Sequence, residues 1–158
     1  MATSTVSSDA ATARRQRWLS ILAKAPAERV DALWAGLGSA VPAYKRLRPP
    51  EIGLVMVKGR ISGSGAPFAA GEMTVTRAAV QLASGEVGIG YVGGRHPRQA
   101  EVAATLDALG QRAEWTELIE ERVVAPLAEE ADARHRALKA RAAATRVDFF
   151  TVAREAGS

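Results

Sequence analysis

With 158 residues, a mass of 16.6 kDa and 47% hydrophobic content, the chain can bury about 70% of the surface its unfolded form exposes, which points to one domain rather than two cores. The absence of cysteine excludes a disulfide framework, a thiol nucleophile, a Cys-type zinc site and an iron–sulfur cluster held by this chain alone, and it fits a reducing cytoplasm. A net charge of +4, from 21 Lys+Arg against 17 Asp+Glu, is too small to argue for nucleic acid, while the predominance of arginine suits bidentate contacts to phosphate or carboxylate.

In chain order, the first segment, Met1 to Asp9, is Ser/Thr/Ala-rich and lacks a long apolar stretch. It reads as a disordered tail over residues 1–10, leaving a single domain over 11–158, and not as a signal peptide. From Ala11 to about Ser39, Trp18, Leu19 and Leu22, then Val30, Leu33, Trp34 and Leu37, recur at helical spacing. Two helices are expected there, with Pro26 in a first turn and Gly36 and Gly38 where the second frays.

Ten of the fourteen glycines lie between Pro49 and Gly94, together with strand-like runs at Gly53–Val57, Met73–Leu82 and Val87–Val92. Ser84-Gly85 is a hairpin turn signal, so the middle of the chain is predicted to be an antiparallel sheet. Along Met73–Val80 the two alternating sets do not sort into a wet and a dry face, which predicts helices over part of both faces. From Pro97 to about Ala144 the helical pattern returns, with nine of the seventeen acidic residues between Glu101 and Asp132 and the cations Arg134, Arg136, Lys139, Arg141 and Arg146 after them, as a helix dipole favours. Thr145–Val152 is β-branched and aromatic and reads as a terminal strand or arm. The fold class is therefore α+β, an antiparallel sheet in the middle of the chain packed by N-terminal and C-terminal helices. No segment approaches the roughly 18 consecutive apolar residues of a membrane span.

Catalytic constellations are scarce. His96 and His135 have no metal-pair spacing, no serine near Ser62 or Ser64 sits in a nucleophile elbow, and no Walker lysine follows the glycines. No catalytic or metal-ligating residue is assigned. Lys58-Gly-Arg-Ile-Ser-Gly-Ser-Gly65 has the most chemical content: Gly63, Ser64 and Gly65 can aim backbone N–H groups at an anion while Arg60 supplies charge, although such a turn also serves as a plain strand connection. A second anion candidate is Gly93-Gly-Arg-His-Pro97, with Arg95 beside a helix start. Arg77, inside a strand, must reach solvent, a ligand or a carboxylate, of which Glu72 and Glu51 are at hand. Phe149 and Phe150 are adjacent, so in a strand they point to opposite sides. Either one docks on a partner chain or the strand is covered on both sides.

Arg17-Trp18, Leu47-Arg-Pro-Pro-Glu-Ile-Gly-Leu-Val-Met56, Gly59-Arg60 with Gly63 and Gly65, Pro67-Phe68, Gly71-Glu-Met-Thr-Val-Thr-Arg77, Gly90-Tyr-Val-Gly-Gly-Arg95, Ala100-Glu101 and Arg146-Val-Asp-Phe-Phe-Thr151 together resemble the PhnG family of phosphonate-metabolism proteins. The likeness runs in matching order over nearly the whole chain after the first dozen residues. The resemblance implies a cytoplasmic subunit of the carbon–phosphorus lyase core complex, present in two copies with partner subunits H, I and J and an accessory ATP-binding protein. That assembly displaces adenine from ATP by a phosphonate. ATP is then the co-substrate of the complex, no cofactor is bound by this chain alone, and the isolated chain is inactive. Neither membrane nor nucleic acid is implied as a partner. The family pattern transfers no catalytic residue, and His96 stands where relatives often carry an acid. The alternative from another class is a free-standing module for a nucleotide or single-stranded nucleic acid on the glycine-rich sheet. It requires stacking platforms, and aromatics make up only 5% of the chain.

Overall fold

A computed structural model describes residues 3–38, 41–61 and 65–145, with side chains from Asp9 onward. Helices α1 (Thr3–Lys24) and α2 (Ala27–Gly36) precede the strands β1 (Tyr44–Gly59), β2 (Phe68–Leu82) and β3 (Val87–Gly93). Helices α3 (Pro97–Leu109), α4 (Ala113–Ile119) and α5 (Ala125–Ala144) follow, α4 and α5 being joined by a π-helical turn at Glu120–Val124. The α+β class and its order along the chain are as the sequence indicates. The closing strand expected over Thr145–Val152 falls, after Thr145, outside the described residues.

Helix α1 starts well before the apolar periodicity at Trp18 and runs through much of the stretch expected to be a disordered tail. Once Trp18 and Leu22 are buried, a helix nucleus exists, and adding Ala- and Thr-containing turns to it fixes one residue per hydrogen bond. The π-helical turn sits just before Pro126. Proline has no N–H, and its ring would clash with the Arg122 carbonyl in a regular α-helix, so the wider turn relieves the chain there.

The sheet is an antiparallel meander in the order β1-β2-β3. Its β2–β3 turn closes at Gly85, with φ +109°, and the Leu82 N–H donates to Glu86 O at 3.0 Å. β1 is much longer than the Gly53–Val57 run, because Arg48-Pro-Pro-Glu51 conceals it. Two prolines cannot donate to a ladder, but β1 is an edge strand and its register slips between Arg46 and Glu51, so they are accommodated.

Among the described residues, helices cover one face of the sheet. Thr76, Ala78, Val80 and Leu82 of β2 are buried beneath α3, whereas Val87, Ile89 and Tyr91 of β3 stand exposed on the other face. This corrects the expectation of helices on both faces. The apolar alternation that suggested it reflects a second face without helices among the described residues. α3 lies unusually close to β3: a Cβ on Gly88 would overlap the Ala104 carbonyl oxygen, and one on Gly90 the Ala100 carbonyl oxygen. Glycine facing a stripe of Ala100, Ala104 and Ala108, all fully buried, lets helix and strand approach to backbone distance. Leu106 and Leu109 of α3, Trp18, Leu22, Val30, Ile119 and Leu127 of the other helices, and Val123 of the π-helical turn complete the core.

Candidate functional site

The arginines singled out from the sequence occupy separate places. Arg77 lies opposite Glu51 in the β1–β2 register and donates to its Oε2 from Nη2 at 3.1 Å and Nε at 3.2 Å, with Arg48 on the same carboxylate. Glu51 is the partner, and Glu72 is not, because five residues along a strand put Glu72 on the opposite face from Arg77. Arg60 lies at the hairpin tip, where Nη1 donates to the Gly65 carbonyl at 3.2 Å. Gly63 and Ser64 lie outside the described residues, as do Phe149 and Phe150. Nine residues of β2 separate Phe68, at the tip, from Arg77, which amounts to roughly 30 Å at strand rise. One phosphate therefore cannot bridge Arg60 and Arg77.

Arg95 stands in the β3–α3 turn. There Gly94 has φ +83°, its N–H donates to Thr74 O at 2.8 Å, and the His96 N–H donates to the Thr76 hydroxyl at 3.0 Å. That hydroxyl in turn donates to Gly94 O at 2.7 Å. The turn thus spends its Gly94 and His96 donors on its own closure, and the exposed Arg95 side chain is the group left facing solvent. His96 occupies the N-cap of α3 with no side-chain cap bond.

Sequence reasoning passed over two carboxylates that organise the domain. Glu101 on α3 accepts from the Tyr44 hydroxyl at 2.9 Å and from Arg46 Nε and Nη2 at 2.7 and 3.1 Å, clamping the base of the hairpin to the helix. Burial pushes the Glu101 carboxyl up, but the Arg46 and Tyr44 bonds outweigh it and leave it below the usual carboxylate range. Burial and the same carboxylate push Tyr44 up. A depressed carboxyl stabilises the fold fully above its unfolded value, about 4.3, and that contribution is lost as pH falls through the lower folded value. Wild type is thus expected to exceed Glu101→Gln in melting temperature at pH 6, with the gap closing towards pH 3; a gap independent of pH would remove the ionised clamp.

Asp107 is the second. Its side chain is 1% exposed, and it accepts from Arg15 Nε and Nη2 at 2.6 and 2.7 Å and from the Ile89 N–H at 2.8 Å. The pair borders a cavity of about 260 Å³ lined also by Arg14, Trp18 and Gln111. Arg14 stacks over the Trp18 ring at 5.8 Å, and Gln111 Nε2 donates to Val87 O and Asp107 O. These polar groups are engaged with each other and tie α1, β3 and α3 together, which is the work of a joint rather than of a reacting centre. Only the closeness of Arg14-Arg15 to a helical apolar stripe hinted at the joint; its partner lies 92 residues away.

Among the described residues no group of three His, Asp or Glu side chains gathers to hold a metal ion, and no helix is long and apolar enough to cross a membrane. Tyr91, on the open face of β3, is directly opposite Arg77.

Comparison with known proteins gives two findings. A family model described as phosphonate metabolism protein PhnG matches residues 13–155. A protein of Rhizobium meliloti (strain 1021), the alpha-D-ribose 1-methylphosphonate 5-triphosphate synthase subunit PhnG, is 42% identical over 151 residues, covering 94% of each chain.

Proposed function

This chain belongs to the PhnG family of phosphonate-metabolism proteins, and from that membership we propose that it is a subunit of an alpha-D-ribose 1-methylphosphonate 5-triphosphate synthase. In the reaction proposed, a phosphonate oxygen bonds to the ribose C1′ of ATP while the bond from C1′ to adenine breaks. Adenine leaves with the proton that the phosphonate P–OH gives up, and the 5′-triphosphate is retained. Subunits H, I and J, with an accessory ATP-binding protein, are the proposed partners in a cytoplasmic, two-fold symmetric assembly holding two copies of this chain. ATP is the co-substrate of the assembly. The observation that carries this reading is 42% identity along 94% of both chains to a subunit of that synthase.

The arrangement of the described residues fits an assembling role: the Glu101 and Asp107 carboxylates are consumed in joints, and Arg60, Arg77 and Arg95 stand apart from one another. The purified chain is expected to show no adenine release from ATP and phosphonate, and reassembly with the other subunits to restore it. Sustained turnover by the chain alone overturns this.

Arg60, Arg77 and Arg95, with the turn at Gly63, Ser64 and Gly65, remain the proposed anion contacts, acting as separate points. Replacing each arginine by alanine is expected to weaken triphosphate binding by the assembled complex, with a loss that shrinks as salt rises. For Arg77→Ala the free chain should keep its melting temperature to within about 4 °C, because an exposed pair contributes about 0–1 kcal/mol. Unchanged triphosphate affinity in all three variants removes the anion contacts.

A further inference from the structure

The β1–β2 hairpin outruns everything that supports it. β3 pairs only with Val75–Gln81 of β2, so Leu54–Gly59 and Phe68–Thr74 continue as a two-stranded ribbon. Such a hairpin by itself is marginally stable in water. This one carries exposed apolar side chains on both sides. The register places Leu54 and Met56 on the helix side, opposite Thr74 and Glu72, and Val55 and Val57 on the outer side, with Met73 opposite Val55. Leu54 is 62% exposed and Met56 59%, and Met73 and Phe68 are close to half exposed. At its base the outer side runs into the helix-free sheet face with Val87, Ile89 and Tyr91.

A ribbon with exposed apolar side chains on both faces is not shielded by lying flat on a surface; it has to enter a cleft. Its two faces and the open sheet face offer roughly 700 Å² at ordinary strand spacings, close to the approximately 800 Å² each partner contributes to a standard interface.

The charge says which kind of partner. Of the 21 cations and 17 anions, the hairpin carries Lys45, Arg46, Arg48, Lys58, Arg60 and Arg77 against Glu51 and Glu72, a net +4, while the rest of the chain balances at 15 of each. A two-fold contact between copies through this element would set +4 against +4. A head-to-tail contact, with the ribbon on the acidic helices of the next copy, closes only where the rotation makes a ring.

We infer that the β1–β2 ribbon is an insertion arm that enters an apolar cleft, rimmed by carboxylates, in a different protein chain. This rests on the subunit reading above and adds to it the contact element and the chemistry of the cleft.

The test uses the complex obtained by co-expressing this chain with the other subunits of the synthase. Amide hydrogen exchange at 54–59 and 68–74 is expected to slow at least tenfold on assembly. Leu54→Asp/Met56→Asp on one face and Met73→Asp on the other are each expected to weaken association at least tenfold, leaving the free chain's melting temperature within about 2 °C. Leu138→Asp, on the exposed part of α5, is the control and should leave association unchanged. Sensitivity of one face alone overturns insertion in favour of flat docking. Ribbon amides already protected in a dimer of the free chain assign the surface to a second copy and overturn the proposal, as does unchanged ribbon exchange in the complex. Failure of the wild-type chain to join the complex overturns the subunit reading itself.

Discussion

Gly90→Ala is expected to lower the melting temperature by roughly 10 °C. The added methyl would overlap the Ala100 carbonyl oxygen and crowd the Ala104 nitrogen. These are backbone atoms of a helix packed on every side, so they cannot rotate away as the tip of a side chain would. Either α3 lifts from β3 or β3 bends, and overpacking of this kind costs about 1–3 kcal/mol, here at the upper end. For a chain of this size each kcal/mol shifts the midpoint by about 2–4 °C. Gly53→Ala is the control, because a Cβ there meets nothing within 4 Å. Thermal melts of the two variants decide the matter, and equal midpoints would show that α3 does not rest on the glycines.

The joint between α1, β3 and α3 should yield the other large effect. Arg15→Ala leaves the Asp107 carboxylate, 1% exposed, with the Ile89 N–H as its remaining protein donor. Removing one partner of a sealed pair costs about 3–5 kcal/mol. Arg15 is 42% exposed, so water can enter where it leaves, and the expected loss is nearer 2 kcal/mol. Asp107→Ala is expected to cost a similar amount, since it orphans the Ile89 N–H while Arg15 re-solvates. The double variant should lose clearly less than both single losses together, with a coupling of at least about 1 kcal/mol in denaturant melts. Strict additivity would mean that the two side chains do not act as a pair.

The elements that announced themselves in the sequence were those with local causes. Ser84-Gly85 makes its turn because glycine supplies the positive φ, the run around Trp18 became a helix because burial of one face decides it, and the run around Val102 became one that is buried on nearly every side. β1 stayed half hidden, since Pro49-Pro50 argues against a strand unless its edge position is known, and that position is set by pairing with residues some thirty positions away. The exposed face of the sheet was misjudged for a related reason. Alternation states which side chains share a face but not what covers them, and a face reserved for something outside the chain has the same composition as one beneath a helix. For Arg77 solvent, a carboxylate and a ligand were all open; its side chain is 55% exposed and reaches Glu51, and which carboxylate it meets depends on register. Asp107 carried no signal and Glu101 none beyond its place in the family pattern, as their meaning comes from Arg15, Tyr44 and Arg46, distant in the chain. The small residues Gly88, Gly90, Ala100 and Ala104 did carry one, as a matched pair of stripes read across two elements.

Concentrating the whole net charge on one hairpin also bears on how quickly the chain finds what it binds. The remainder carries 15 charges of each sign, so the excess positive charge is the hairpin's, and an acidic surface attracts that element. Encounter of this kind is steered, with rates that fall steeply as ionic strength rises. Once the apolar faces have lost their water, release is set by those faces and hardly responds to salt. Capture and retention are therefore governed by different side chains of the same two strands: lysines and arginines set how fast the hairpin arrives, and Leu54, Met56 and Met73 set how long it stays.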